Sequence, residues 1–510
     1  MSRWENGSSV RKLKRADMGA VVLLLVLVAF VAVANHGSSH DDAYITFRYA
    51  VNFARGEGLV YNVGDEALGT SAPLFALVLG VLGLPNPDAI PAIGGAMSAL
   101  ALAAVALALY MLARAAGHPL CGLLSGILVG VNPWLHASFG DEMLVQAALV
   151  LWAIVLYRAE RDIAAASLLA LAVLVRPDSL VAVGVIGAHS IFVRREFPVR
   201  PAIAFAVVVT PFALLAWATY GSPFPETLAA KQAQRDSGFW NPFLFDSLRR
   251  TSNYFFASWN RHHLFGPEVQ LLTKAFLGWL ALAGLPMLIV HRFWLLPLAW
   301  ILTVTLSYQV ADVPMYFWYG VPPMIGIMML AASGASMAFE AASRVVRKRS
   351  VPHLARAGVV AGGGVAVAVL VAGLVDHAQA RFGKGEPSRP VYFDTGRWLA
   401  ENTPASASVG YHEIGYLGFR SRRTIVDPLG LVTPAAIPHV ARGQLTWAYR
   451  RFRPDYLVQR PDVGKGRFGV REPDMRRSYV LVKRFGAPGQ KVRVSIYRRA
   501  GPAGPAGPAG

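Results

Sequence analysis

Apolar stretches of roughly 20 residues, each closed by charged or turn-forming residues, recur along the chain from Met18 to Val375. At 1.5 Å rise per residue, about 20 residues cover the ~30 Å hydrocarbon core of a bilayer, so each stretch predicts a membrane-crossing helix. Spans are expected at 17–35, 89–112, 119–135, 142–157, 163–176, 178–193, 199–219, 271–289, 293–309, 315–338 and 355–375, about eleven in all. A further apolar run, Ala72 to Leu84, covers only about 20 Å and reads as a juxtamembrane or re-entrant helix. After Asp376 the pattern shifts to short strand-like runs such as Tyr479–Val482 and Val492–Tyr497, punctuated by Pro and Gly, which predicts a small α+β domain over 376–500. The closing GPAGPAGPAG, residues 501–510, is too short for a collagen helix and reads as a disordered tail.

Composition agrees with a chain whose solvent is lipid. The 510 residues are 54% hydrophobic and 15% charged, with a mean hydropathy of +0.42, values that exclude a soluble globular enzyme. The net charge of +19 needs no nucleic acid to explain it, because Lys and Arg of membrane proteins gather in cytoplasmic loops beside anionic headgroups. Arg11, Lys12, Lys14 and Arg15 precede the first span, so residues 1–16 are expected in the cytoplasm and the loop over 36–88 outside. Alternation then places Arg114, Arg158 with Arg161, Arg194 with Arg195, Arg292, and Arg344 to Arg349 inside. The odd span count puts 376–500 outside. No A-x-A site follows the first apolar run, so no cleaved signal peptide is expected. Cys121, the single cysteine, permits no intrachain disulfide.

The external segments carry the candidate chemistry. In HDDAYITFRYAVNFARGEGLVYN, Asp41, Ile45, Arg48, Asn52 and Arg55 share one helical face and Tyr44, Phe47, Val51 and Ala54 another, which describes an amphipathic helix on the membrane surface. Asp41 and Asp42 at its start are either helix caps or reactive acids. SFGDEMLVQ places Asp141 and Glu142 at the mouth of a span, where carboxylates are costly unless they face water, a partner or a site. Arg176, in the external turn VRPDS, and Lys231, in YGSPFPETLAAKQ, break the charge trend. A phosphate would account for both, and a salt bridge to Asp178 or another external acid is the alternative for the arginine. The aromatic cluster PMYFWYGVPP, Pro314 to Pro323, reads first as an interfacial belt and second as a sugar-stacking surface.

Together these segments resemble the GT-C-type, polyprenyl-phosphate-dependent membrane glycosyltransferases, and among them the mycobacterial terminal arabinofuranosyltransferase branch. The likeness runs from Asp41 to about Asp427, through DDAYITFRYAVNFARGEGLVYN, GDE, RPD, PFPETLAAK, WLAENTPASASVGYHEIGYLGF and IVDPLGL. Met143 and Glu226 stand where the family tends to have Thr and Asn, and GTSAPLF lacks its usual tyrosine. The resemblance implies a polytopic α-helical GT-C-like membrane domain, 17–375, with a C-terminal extracytoplasmic α+β domain, in a bacterial cytoplasmic membrane. It also implies inverting transfer of a sugar, such as arabinofuranose, from a polyprenyl-phosphate lipid to a cell-envelope glycan or other acceptor.

Such a reaction needs one base for the acceptor hydroxyl and cations for the departing phosphate. The resemblance assigns the base to Asp41 first and Asp42 second, the phosphate to Arg176 and Lys231 with Arg48 as a third ligand, and acceptor orientation to Glu142 and Asp141. No cofactor is expected beyond the lipid-linked donor. His/Cys spacing gives no zinc signature, and a divalent ion on the carboxylates has no positive case. A multi-span transporter or flippase of lipid-linked sugars, or a non-catalytic scaffold, is the alternative; the chain shows no evident internal repeat of the kind transporters carry.

Overall fold

The computed structural model describes residues 15–35, 37, 39–65, 67–238, 240, 278–286, 292–347, 389–460, 477–486 and 492–500. Helices fall on the expected apolar runs: α1 (Arg15–Ala34), α4 (Ile90–Ala115), α5 (Pro119–Gly130), α7 (Met143–Arg158), α8 (Asp162–Val175), α9 (Leu180–His189), α10 (Val199–Tyr220), α12 (Leu295–Val310) and α13 (Val321–Arg347). Among the described residues five helical stretches are long and apolar enough to cross a bilayer, and α5, α7 and α8 are shorter apolar helices packed among them. The chain is a multi-pass membrane protein. The expected span 355–375, most of 271–289, the basic residues before Arg15 and the 501–510 tail lie outside the described residues.

Two spans differ from expectation for local reasons. The 119–135 run breaks into α5 and a short α6 (Pro133–Ala137), because Pro133 starts a new helix and the Asn132 side chain accepts from the Trp134 N–H at 2.9 Å. The 178–193 run becomes α9 followed by a π-helical turn, Ser190–Arg194. The short run after Ala72 is α3 (Pro73–Leu82), too short to span.

In the C-terminal domain α14 (Arg389–Asn402) and α15 (Gly415–Ser421) pack together beside a five-stranded sheet of order β2-β1-β3-β5-β4. β1 (Ser408–Gly410) pairs in parallel with β2 (Thr424–Val426) and β3 (Tyr456–Gln459), whereas β5 (Val494–Arg499) pairs antiparallel with β3 and with β4 (Tyr479–Phe485). β4 and β5 are the strands expected from the strand-like runs at Tyr479–Val482 and Val492–Tyr497.

α2 (Ala43–Ala54) corrects the reading of a helix lying on the membrane. Residues 43 to 52 are buried on every side, with α3 and α4 against one flank and α15 against the other. Tyr44, Phe47, Tyr49 and Tyr61 share one apolar core with Tyr392, Leu399, Tyr411, Tyr416 and Leu417 of the C-terminal domain. Of the polar stripe that would face water, Asp41 and Arg48 bond to the backbone of that domain, whereas Asn52 donates to the Val60 and Tyr61 carbonyls and Arg55 pairs with Asp88.

Candidate active site

The Asp41–Asp42 turn sits where the membrane bundle meets the C-terminal domain. Asp42 is the N-cap of α2 by position, yet its side chain makes no capping bond there. Asp41 caps a different helix: the N–H groups of Tyr416 and Gly415, at the start of α15, donate to its Oδ1 and Oδ2 at 2.7 and 3.0 Å. Burial, Asp42 and Glu413 together push the Asp41 carboxyl well above the usual carboxylate range. A Cβ at Gly415 would overlap the Asp41 carbonyl, so the close approach of α15 requires glycine there.

Arg48, expected as a third phosphate ligand, is turned toward the C-terminal domain. Its Nη1 donates to the Gly418 carbonyl at 3.0 Å and its Nη2 to the Arg423 carbonyl at 2.8 Å and Asn62 Oδ1 at 3.3 Å, while the guanidinium lies 4.1 Å from the Tyr61 ring centre. Both terminal nitrogens thus donate to buried protein acceptors, which a phosphate bound there would have to displace.

Arg176 forms the ion pair with Asp178 that was the expected alternative to a phosphate, and a second with Glu142. It is 4% exposed. Nη1 lies 2.6 Å from Glu142 Oε1, and Nε and Nη2 grip Asp178 Oδ2 at 3.1 and 2.7 Å. Ser71 donates to the same Glu142 oxygen at 3.2 Å, and Tyr308 and Gln146 donate to Asp178. Two carboxylates therefore neutralise this arginine. Glu142 is held by Arg176 and Ser71, and its neighbour Asp141 accepts the Met143 N–H at 3.0 Å.

Lys231, on α11 (Thr227–Asp236), is different. Among the described residues its Nζ donates to the Tyr319 hydroxyl at 2.9 Å and has no carboxylate within ion-pair distance. The ammonium lies 5.3 to 5.7 Å from the ring centres of Tyr316, Trp318 and Tyr319. Trp318 and Tyr319 are buried, so this part of the Pro314–Pro323 cluster is an inner wall beside the lysine rather than the expected interfacial belt. Tyr319 packs on Tyr308, 4.2 Å between ring centres, which joins the lysine to the Arg176–Asp178 group.

His40, which the sequence reading passed over, ties the acid turn to this wall. Its ring stacks on Trp318 at 5.7 Å and meets Phe317 edge-on at 4.8 Å, and its Nε2 lies 3.9 Å from Asp141 Oδ2. Its one sequence signal was adjacency to Asp41. The structure thus brings Asp41, Asp42, Asp141, Glu142, Arg176 and Lys231 to one end of the bundle and turns Arg48 toward the C-terminal domain. Among the described residues no group of three or more His, Cys, Asp or Glu is placed to hold a metal ion.

Residues 373–497 match a family model described as "Domain of unknown function (DUF8728)". No curated protein sequence matches the chain. Among solved structures it is similar to the oligosaccharyltransferase of Archaeoglobus fulgidus tethered with an acceptor peptide, at 11% identity and a TM-score of 0.56 over 94% of this chain and 74% of that one. The oligosaccharyltransferase AglB from Archaeoglobus fulgidus, in complex with an inhibitory peptide and a dolichol-phosphate, gives 0.57 at 11% identity, over 96% of this chain and 75% of that one. ArnT from Cupriavidus metallidurans is 16% identical, with a TM-score of 0.55 over 94% of this chain and 98% of that one. At such identities the likeness reaches the fold, and the chain has the GT-C-type fold of polytopic membrane glycosyltransferases.

Proposed function

We propose that the chain transfers a sugar from a polyprenyl-phosphate carrier to a cell-envelope glycan or other acceptor on the extracytoplasmic face of a bacterial cytoplasmic membrane, with inversion. One observation carries this reading: a half-buried lysine without a carboxylate partner among the described residues shares an aromatic wall with the turn that bears two acids. A carboxylate for the acceptor hydroxyl and a cation for the departing oxygen are what displacement of a lipid phosphate requires. The dolichol-phosphate bound by the archaeal neighbour supports a polyprenyl-type carrier, and the resemblance of the acid-turn motif to the arabinofuranosyltransferase branch supports arabinofuranose as the sugar.

Asp42 takes the base role ahead of Asp41, because both oxygens of Asp41 already accept main-chain N–H bonds and hold the turn against α15. Asp42 removes the proton of the acceptor hydroxyl as that oxygen attacks the anomeric carbon from the face opposite the phosphate. The bond from the anomeric carbon to the phosphate oxygen breaks, its electron pair leaves on the phosphate, and Lys231 stabilises the released charge. Arg176 holds Glu142 in place to orient the acceptor. The test is to incubate the purified full chain with labelled polyprenyl-phosphate arabinofuranose and an envelope glycan. Release of polyprenyl phosphate in step with a new glycosidic bond is expected; donor left intact across pentose and hexose carriers would overturn the proposal.

A further inference from the structure

Lys231 and the acid turn come from distant stretches of the membrane part, yet both lean on the C-terminal domain. On α11, Ala230 and Ala233 are buried three positions apart, on one face of the helix. Ala233 shares an apolar core whose other buried members, Val440, Leu445 and Tyr449 among them, all belong to that domain, and α11 packs against its α16 (Ile437–Ala441). The adjoining face of α11 meets the aromatic wall. Besides the Lys231 bond to Tyr319, Gln234 accepts from the Tyr316 hydroxyl at 2.5 Å, Gln232 donates to the Ala311 carbonyl at 3.1 Å and Arg235 pairs with Asp312 at 3.1 Å. The helix that carries the proposed phosphate cation is therefore held between the bundle and the C-terminal domain.

The acid turn rests on the same domain. Tyr416, whose N–H bonds Asp41, also donates its hydroxyl to the Ser39 carbonyl at 2.6 Å, so α15 grips the turn on both sides of His40. One sheet sets the spacing of the two supports: α15 connects β1 to β2, which pair in parallel, and α16 follows β2 through the segment that begins IVDPLGL. There the fully buried Asp427 carboxylate accepts the N–H groups of Leu429, Leu431 and Val432 at 2.8, 2.6 and 3.2 Å, while the Asp427 N–H donates to Thr433 Oγ1 at 2.9 Å. These bonds close the segment into a compact turn. A Cβ at Gly69 would overlap the Leu431 carbonyl, so that turn lies flush against the loop between the acid turn and α3.

We propose that the C-terminal domain positions both reactive groups, with Tyr416 setting the acid turn and the Asp427 turn, through Val440 of α16, setting Lys231. The assignment rests on the glycosyl-transfer reading and adds positioning residues to it. Such residues matter because a displacement of about 1 Å in a reacting group costs on the order of 100-fold in rate.

The experiment compares single-turnover transfer, equilibrium binding of polyprenyl phosphate and thermal melting in the detergent-solubilised full chain. Tyr416→Phe keeps the ring and the N–H bond to Asp41 and loses only the hydroxyl; it should slow transfer about 10- to 100-fold with polyprenyl-phosphate affinity unchanged. Val440→Ala should instead weaken polyprenyl-phosphate binding about 3- to 10-fold, as if one hydrogen bond were lost, and Asp427→Asn serves as a second variant of that arm. Wild-type rates and affinities in all three variants would overturn the proposal. So would rate and affinity falling together in each variant in step with its folded fraction, which would reduce the domain to general support. A wild type that binds polyprenyl phosphate but transfers no sugar would remove the glycosyl-transfer reading, while the binding arm still tests the seat of Lys231.

Discussion

Replacing Arg48 separates an interdomain clamp from a phosphate ligand. Two of its hydrogen bonds, to the Gly418 and Arg423 carbonyls at 3.0 and 2.8 Å, are charge-assisted and buried. Bonds of that kind contribute about 1.5–3 kcal/mol each, so Arg48→Ala should destabilise the docked C-terminal domain by about 3–6 kcal/mol, less whatever the site recovers by admitting water. Arg48→Lys keeps the charge but cannot span both carbonyls and Asn62, so it should recover about half of the loss. The assay is thermal unfolding of the solubilised full chain, paired with limited proteolysis of the C-terminal domain. Earlier melting and faster cleavage are expected, graded wild type, Lys, Ala. An Ala variant with wild-type melting and protease resistance but weakened donor binding would refute the clamp and restore Arg48 to the phosphate.

The two remaining cations should part in the same way. Lys231→Ala should weaken productive use of the donor by about 2–4 kcal/mol with the fold intact, whereas Arg176→Ala leaves Glu142 and Asp178 buried without a counter-charge and should lower stability by about 3–5 kcal/mol; equal donor effects at unchanged stability would contradict this division. For His40 the imidazole is held at about 4 by burial against an unfolded value of 6.5, so the unfolded chain binds a proton that the native chain refuses as pH falls through this window. Stability from this group is complete above about pH 6.5 and declines by up to about 3 kcal/mol toward pH 4, and His40→Phe should flatten that part of a melting-versus-pH curve. Reporter fusions near Gly140 and Arg235 should read outside and one near Arg161 inside; an external Arg161 would invert the proposed face of catalysis.

The membrane helices were legible because lipid leaves little choice: apolar runs of sufficient length become helices whatever packs beside them. The strand-like runs near Tyr479 and Val492 predicted their strands to within a few residues, whereas the break at Asn132–Pro133 inside one expected span was missed. The pairing of carboxylates with Arg176 was foreseen as an alternative because the turn Arg176–Pro177–Asp178 holds both charges within three residues. What a side chain faces across the fold was not legible. The partners of Arg48 are carbonyls 370 and 375 positions later, and a helical wheel cannot tell a polar stripe covered by a domain from one facing water. Asp41 likewise has the right residue type for an N-cap, but the helix it caps begins 374 residues on. Trp318 and Tyr319 have the composition of an interfacial belt, and only their burial against Lys231 and His40 distinguishes the two uses.

The central claim is that an acid at the 41–42 turn deprotonates the acceptor. Asp42→Asn keeps side-chain volume and most hydrogen-bonding capacity while removing the basic lone pair, and the measurement is single-turnover transfer from polyprenyl-phosphate arabinofuranose to an envelope glycan, alongside donor binding and extracted yield. A fall of about 10²–10⁴-fold in the transfer rate, with donor affinity and yield preserved, is predicted. Near wild-type rates in Asp42→Asn, in Asp41→Asn and in the double variant would remove the pair from the chemistry and contradict the account.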